Sequence, residues 1–432
     1  MGHIIAKDIY KELGEKLDGS LVRMPWNDAM KEMVTYLYTP AEAELIVSMP
    51  YRPATLERIA RITHLEKNKL RLSLDGLCKK GLICDIWNGN EYEYMVSPFV
   101  VGFFEFTMMR TGKDLPQKKW AELFQQYMFG RQDFFDANFS DGQEISIMRT
   151  LPYEDAVISD PHVEVLDYER AEALIDNQSS FAVGLCSCRH EKHHLGEQQC
   201  NVPLDTCTTI GDGAEFLIRN NLARRSSKEE MRDILARSKD MGFTLTADNV
   251  KNDVGFICHC CGCCCNLMNG IKKTGYTNIL VSSSFIATCA SEECIGCGVC
   301  VKACPVDAIT MQERYGAIID GKRPKKLAVI DKDKCLGCGV CVLQCKPKAL
   351  VLVKSPKRII HPEDTFERAL LQSLERDTLQ NLIFDNPNSK AENFMRSILG
   401  GFLKLPAVKK SLMSEKLRSR FLQTLKNYRS VM

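Results

Sequence analysis

The stretch Cys294-Ile-Gly-Cys297-Gly-Val-Cys300-Val-Lys-Ala-Cys304-Pro305 returns further along the chain as Cys335-Leu-Gly-Cys338-Gly-Val-Cys341-Val-Leu-Gln-Cys345. Both copies keep the spacing Cys-x2-Cys-x2-Cys-x3-Cys, and two independent matches of so specific a pattern are not a coincidence. A loop this short brings three thiolates to three corners of one iron–sulfur cube, while the fourth cysteine opens a helix leading away and so reaches the other cube. The pattern therefore assigns Cys294, Cys297, Cys300 and Cys345 to one [4Fe–4S] cluster, and Cys335, Cys338, Cys341 and Cys304 to a second. Gly296, Gly298, Gly337 and Gly339 are expected at positive φ, turning backbone N–H groups toward the sulfurs, where they offset the charge added on reduction. A pair of zinc knuckles is the alternative, since Cys-x2-Cys pairs also bind Zn²⁺ tetrahedrally.

Over residues 289–353 the chain resembles the two-[4Fe–4S] bacterial ferredoxin family. That resemblance implies a pseudo-two-fold βαββαβ fold and one-electron transfer, with strands at Ala308–Met311, Ala317–Asp320, Leu327–Ile330 and Ala349–Val353. The sequence departs from the family in one place: Lys346 separates Cys345 from Pro347, whereas Pro305 follows Cys304 directly. No aspartate replaces a ligand cysteine, which favours two four-iron cubes over a three-iron one.

The chain has 21 cysteines, a density that points to metal rather than disulfides in an intracellular protein. Ten of them cluster upstream of the repeat, between positions 186 and 265: Cys186, Cys188, Cys200, Cys207, Cys258, Cys260, Cys261, Cys263, Cys264 and Cys265. Their spacing is not that of the repeat, so their grouping is not legible. One or two further Fe–S clusters are the preferred expectation; zinc, with His190, His193, His194 or His259 as added ligands, and redox-active thiols are the alternatives. The run Cys260-Cys261-Gly262 resembles, weakly, the cysteine-rich motif of heterodisulfide-reductase-type subunits. Arg189 reads as an exposed arginine or as positive charge beside a cluster. Cys78, Cys84 and Cys289 read as small buried or partly exposed residues, and the histidines from His190 to His194 as a solvated loop.

Around this centre the length of 432 residues demands several cores. The expected class is multidomain α+β: a winged-helix-like domain with flanking helices at 1–135, a cysteine-rich α/β domain at 136–288, the dicluster ferredoxin domain at 289–353, and a helical C-terminal region at 354–432. In the first, Pro40–Met49, a segment from Thr55 and another from Lys67 carry helical periodicity; Gly81 then stops the helix and Asn88-Gly89 turns a hairpin between Leu82–Ile86 and Tyr92–Val96. Taken together, this winged helix, the Cys186-Ser-Cys188-Arg189 segment, the dense cysteine run and the dicluster region resemble large ferredoxin-domain proteins of anaerobes. Phe181–Leu185 and Gly255–Ile257 read as strands and Lys228–Met241 as a helix.

The net charge of +2 implies no overall polyelectrolyte partner. Locally, eight basic and three acidic residues lie between Arg52 and Ile83, which suits either a phosphate backbone or a docking partner. The tail from Lys404 to Met432 has eight basic residues against Glu415, with Leu417, Phe421, Leu425 and Tyr428 forming an apolar stripe that packs on its own domain, on an acidic protein or peripherally on a membrane surface. Lys322–Lys326 reads as a solvated hairpin tip. The apolar stretch Met95–Met109 is too short to span a bilayer, and Met1–Gly14 lacks a secretory pattern, so the expected location is the cytoplasm. No phosphate-binding or radical-chemistry motif is present. The expected function is relay of single electrons to a partner oxidoreductase; a redox-sensing winged-helix transcription regulator binding DNA, and a reductase with a catalytic cluster in the cysteine-rich domain, are the alternatives.

Overall fold

The computed structural model describes residues 8–111, 115–313, 326–357 and 359–414. The chain divides into two compact units, Met1–Ile145 with Asn220–Leu222 and Pro362–Met432, and Ser146–Arg219 with Ala223–His361.

In the first unit, helix Pro40–Ser48 begins where the Thr39 side chain and Glu42 cap each other's backbone N–H groups, with proline at the first turn. Strand β1 (Ala54–Thr55) runs into helix Leu56–Thr63, whose first turn is capped by Thr55, and helix Lys67–Lys79 starts on the Glu66 carboxylate. Gly81, at φ +76°, ends that helix and releases the chain into β2 (Ile83–Trp87). A turn in which the Asn88 side chain accepts from the Asn90 and Glu91 N–H groups leads into β3 (Tyr92–Val96). The sheet order is β1-β3-β2, antiparallel. Most of the segment Phe99–Met109 is buried: Phe99, Phe103 and Phe104 pack in an aromatic cluster with Phe124 and Phe134, and Phe104 stacks on Phe124 at 3.6 Å between ring centres. Among the described residues no helix is long and apolar enough to cross a membrane. Helices Thr365–Glu375, Leu379–Ile383, Lys390–Leu403 and Pro406–Met413 fill the C-terminal part of this unit. The apolar stripe Leu417 to Tyr428 and most of Lys322–Lys326 lie outside the described residues.

The second unit is built on a six-stranded sheet. Its strands are β4 (Met148–Leu151), β5 (Phe181–Gly184), β6 (Cys207–Ile210), β7 (Arg224–Arg225), β8 (Thr244–Asp248) and β9 (Phe256–Cys260), in the order β4-β8-β9-β6-β5-β7. Every strand pair is antiparallel, so residues 136–288 do not have the parallel sheet that an α/β expectation carries. Four further strands form two antiparallel pairs: β10 (Phe285–Cys289) with β13 (Leu350–Lys354), and β11 (Ile309–Glu313) with β12 (Lys326–Ile330). The expected strand Ala317–Asp320 lies outside the described residues. The strand that opens the repeat is instead β10, which the sequence pattern misses because Phe285–Cys289 carries no ligand spacing. One apolar core runs through both parts, joining Leu151, Leu245 and Ile257 of the sheet to Ile309, Ala328 and Leu352 of the repeat. The cysteine-bearing loops are thereby set on a continuous hydrophobic support.

Candidate metal centres

Each loop of the repeat is turned by glycines that occupy the left-handed region: Gly296 and Gly298 at φ +71° and +74°, Gly337 and Gly339 at +66° and +84°. Cys294, Cys297, Cys300 and Cys345 line a single recess, together with Met311, Ala328 and Cys289. Cys289 was not expected there. It reaches the recess because it ends β10 opposite Leu350, and its sulfur lies against Cys294. Cys335, Cys338, Cys341 and Cys304 come together likewise: Cys304, Cys338 and Cys341 are each raised, first by burial and then by neighbouring thiols, and burial pushes the Cys338 thiol up to about 12. So many thiols raised by burial and by one another are a donor set suited to a strongly positive centre, which stabilises them as thiolates. Past the fourth cysteine of each half, Asp307 and Lys348 take matching φ values of +55° and +58°. Lys346 ahead of Pro347 therefore leaves that turn unchanged.

The two loops differ in their surroundings. Ile295 and Val299 of the first are 51% and 42% exposed, and Cys297 is exposed; Leu336 and Val340, at the same positions of the second, are 4% and 1% exposed. The second loop is fastened by its backbone. The carbonyls of Leu336, Gly337 and Cys338 accept from Ser283 N–H (3.0 Å), Ser283 Oγ (2.7 Å) and Tyr153 N–H (3.1 Å), while the Tyr153 hydroxyl donates to the Phe243 carbonyl at 2.8 Å. The Thr244 hydroxyl lies beside Cys338, and Thr244 stands opposite Cys260 in the β8–β9 register. The buried loop thus touches β8, the strand paired with the one that carries the next group of thiols.

The ten upstream cysteines fall into two sets. Alternation along β9 puts Cys258 and Cys260 on one face, and the β6–β9 register brings Cys207 across from Cys258. Cys258 touches Cys207 and Cys260, Cys260 touches Cys265, and Cys265 touches Cys188. Cys186 lies beside Cys188 and Cys207. Cys186 and Cys265 each precede a nine-residue helix, Ser187–Leu195 and Asn266–Thr274, whose N-terminal dipoles favour thiolate. Buried Glu191 locks these helices together by accepting from Asn266 Nδ2 at 2.6 Å. The second set is Cys200, Cys261, Cys263 and Cys264, whose sulfurs all lie within 4.8 Å of one another.

Arg189 sits between the sets and is buried rather than exposed. Its guanidinium donates to Thr206 Oγ1 and, at 2.5 Å, to the His259 carbonyl. Burial works against its charge, but the thiols Cys186, Cys261 and Cys260 outweigh burial and hold it firmly protonated. The sequence signal for this was the pair of cysteines directly before it. The histidines from His190 to His194 belong to helix Ser187–Leu195 rather than to a solvated loop; His190 is buried, with its Nε2 at 2.9 Å from that of His194. Burial, with Arg189 and Arg237 nearby, lowers His259 to about 3 and keeps it neutral. No histidine joins a group of three or more possible ligand atoms among the described residues. Cys78 is buried, and the Cys84 thiol lies 3.3 Å from Ser97 Oγ.

No curated protein and no solved structure matches the chain. Residues 293–349 match the family model described as a 4Fe-4S dicluster domain, so this segment is an iron–sulfur domain of the ferredoxin type.

Proposed function

We propose that this chain relays single electrons between a low-potential donor and a partner oxidoreductase through two [4Fe–4S] clusters, one held by Cys294, Cys297, Cys300 and Cys345 and one by Cys335, Cys338, Cys341 and Cys304. A third cluster is held by four of the six thiols Cys186, Cys188, Cys207, Cys258, Cys260 and Cys265. The clusters supply reversible one-electron chemistry. The observation that carries the reading is the order of the thiol groups: an exposed loop, a buried loop, and then, across Thr244, the thiols of β9. Each group of cysteines borders the next through packed side chains, and the chain offers the first of them to a partner.

The N-terminal helices and hairpin have the element order of a winged helix, and in this reading they dock protein. Four of the eight basic residues between Arg52 and Ile83 are engaged by acids of their own unit: Arg52 and Arg58 by buried Asp385, Lys67 by Glu57 and Lys80 by Glu42. Such pairing withdraws them from a phosphate backbone, which disfavours the DNA-binding regulator. Iron and acid-labile sulfide counting on anaerobically purified protein tests the reading. About twelve irons per chain are expected; about eight would remove the third cluster, and a chain that reduced methyl viologen cannot reduce would remove electron transfer itself.

A further inference from the structure

We infer that Cys200, Cys261, Cys263 and Cys264 bind a single tetrahedral Zn²⁺ ion, a site separate from the electron-transfer centres and independent of that reading. The spacing of the sulfurs decides it. Cys200 Sγ lies 3.8 Å from both Cys261 Sγ and Cys264 Sγ, and Cys263 Sγ lies 3.5 Å from Cys261 Sγ and 3.6 Å from Cys264 Sγ. A tetrahedron of sulfurs around zinc, with Zn–S of about 2.3 Å, has edges of about 3.8 Å. Thiolates on a four-iron cube stand roughly 6 Å apart instead, because each sits on its own iron.

The same structure contains its own control. None of the eight cysteines of the ferredoxin-type repeat belongs to a group of three drawn within 4.8 Å, nor do the six thiols around β9, and the Cys200 set is the one such group among the described residues. The thiols of this chain are therefore not drawn together indiscriminately. Four sulfurs leave no open coordination position, which marks a structural rather than a catalytic ion.

The surroundings suit a tetrathiolate of net charge −2. Arg189 reaches Cys261, and Gln198 Nε2 lies 4.0 Å from Cys200 Sγ. Helix Asn266–Thr274 grips the turn from outside: Asn269 Nδ2 donates to the Cys263 carbonyl at 3.1 Å, and Lys272 Nζ donates to the Gly262 carbonyl at 2.6 Å. Such outer contacts orient ligands and balance their charge. Within the turn, Gly262 has no side chain because Pro305 is against it; a Cβ there would stand 3.0 Å from Pro305 Cα. Since Pro305 follows Cys304, the ion would hold the Cys261–Cys264 turn against the segment that leaves the first half of the repeat and lends Cys304 to the second cluster. Cys200 is brought in from 61 residues away, so the ion also closes a long loop that the surrounding sheet fastens only in part.

The test is elemental analysis of the full anaerobically purified chain together with zinc-edge X-ray absorption. One zinc per chain is expected, with four sulfur neighbours at about 2.3 Å. In Cys200→Ser and in Cys263→Ser the zinc should be lost with iron unchanged. In Cys258→Ser, which alters the other thiol set, zinc should stay. Absence of zinc from the wild-type chain, nitrogen or oxygen neighbours at the zinc edge, or loss of iron with zinc retained in Cys263→Ser would each overturn the inference. Because the absorption measurement uses the wild-type protein, misfolding of a variant does not shelter the proposal.

Discussion

The loops Cys294–Cys300 and Cys335–Cys341 share one spacing, one pair of left-handed glycines and one turn after the fourth cysteine, yet one lies open to water and the other is built into a core. Ligand spacing thus fixes how sulfurs are presented, while the residues between the sulfurs decide what surrounds them. Ile295 and Val299 answer to Leu336 and Val340, all of them apolar, and only the long-range support of Ser283, Tyr153 and the six-stranded sheet separates their fates.

The comparison is broken most forcefully at the glycines. A Cβ at Gly337 would meet the Phe285 carbonyl oxygen at 2.1 Å and Ser283 Oγ at 2.3 Å, in addition to the left-handed strain. Gly337→Ala should cost about 4 kcal/mol in denaturant unfolding, because a backbone atom cannot yield. At Gly298 nothing lies within 4 Å, so Gly298→Ala should cost only about 1 kcal/mol, the price of its φ alone. Equal losses would erase the asymmetry.

A second matched pair is Leu336→Ala and Ile295→Ala. The buried leucine should cost about 3 kcal/mol through transfer and cavity terms, whereas the half-exposed isoleucine should cost less than about 1 kcal/mol.

Redox titration sharpens the contrast further. Reduction adds negative charge, which water solvates at the exposed loop and the apolar core does not solvate at the buried one. Two steps are expected, the buried loop's at the lower potential by on the order of 60 mV, a tenfold step in a one-electron equilibrium. Cys297→Ser should remove the higher step and Cys338→Ser the lower; the reverse assignment would contradict the burial argument. A modest effect is expected for Tyr153→Phe, which deletes the hydrogen bond to the Phe243 carbonyl while leaving the ring. It should lower stability by about 1 kcal/mol, and no change would show that this tether is idle.

What the sequence made legible was local. The octet needs only spacing, and helices such as Lys67–Lys79 and Lys228–Asp240 and the hairpin at Asn88-Gly89 are signalled by periodicity, caps and turn residues. The partition of the ten upstream cysteines was not legible. It depends on register, which sets Cys207 opposite Cys258, and on a contact between Cys200 and Cys261 across 61 residues. The burial of Arg189 was hidden for the same reason, since its partners Thr206 and His259 come from other strands and loops. Likewise β10 and the sheet order followed from no local pattern, because antiparallel neighbours such as β4 and β8 are far apart in the chain.

The account rests on eight thiolates holding two iron–sulfur cubes, and electron paramagnetic resonance of the dithionite-reduced protein tests this most directly. The wild-type chain should show the broadened spectrum of two interacting [4Fe–4S]⁺ centres, and Cys297→Ser and Cys338→Ser should each abolish that interaction. A spectrum identical in all three proteins would contradict the account.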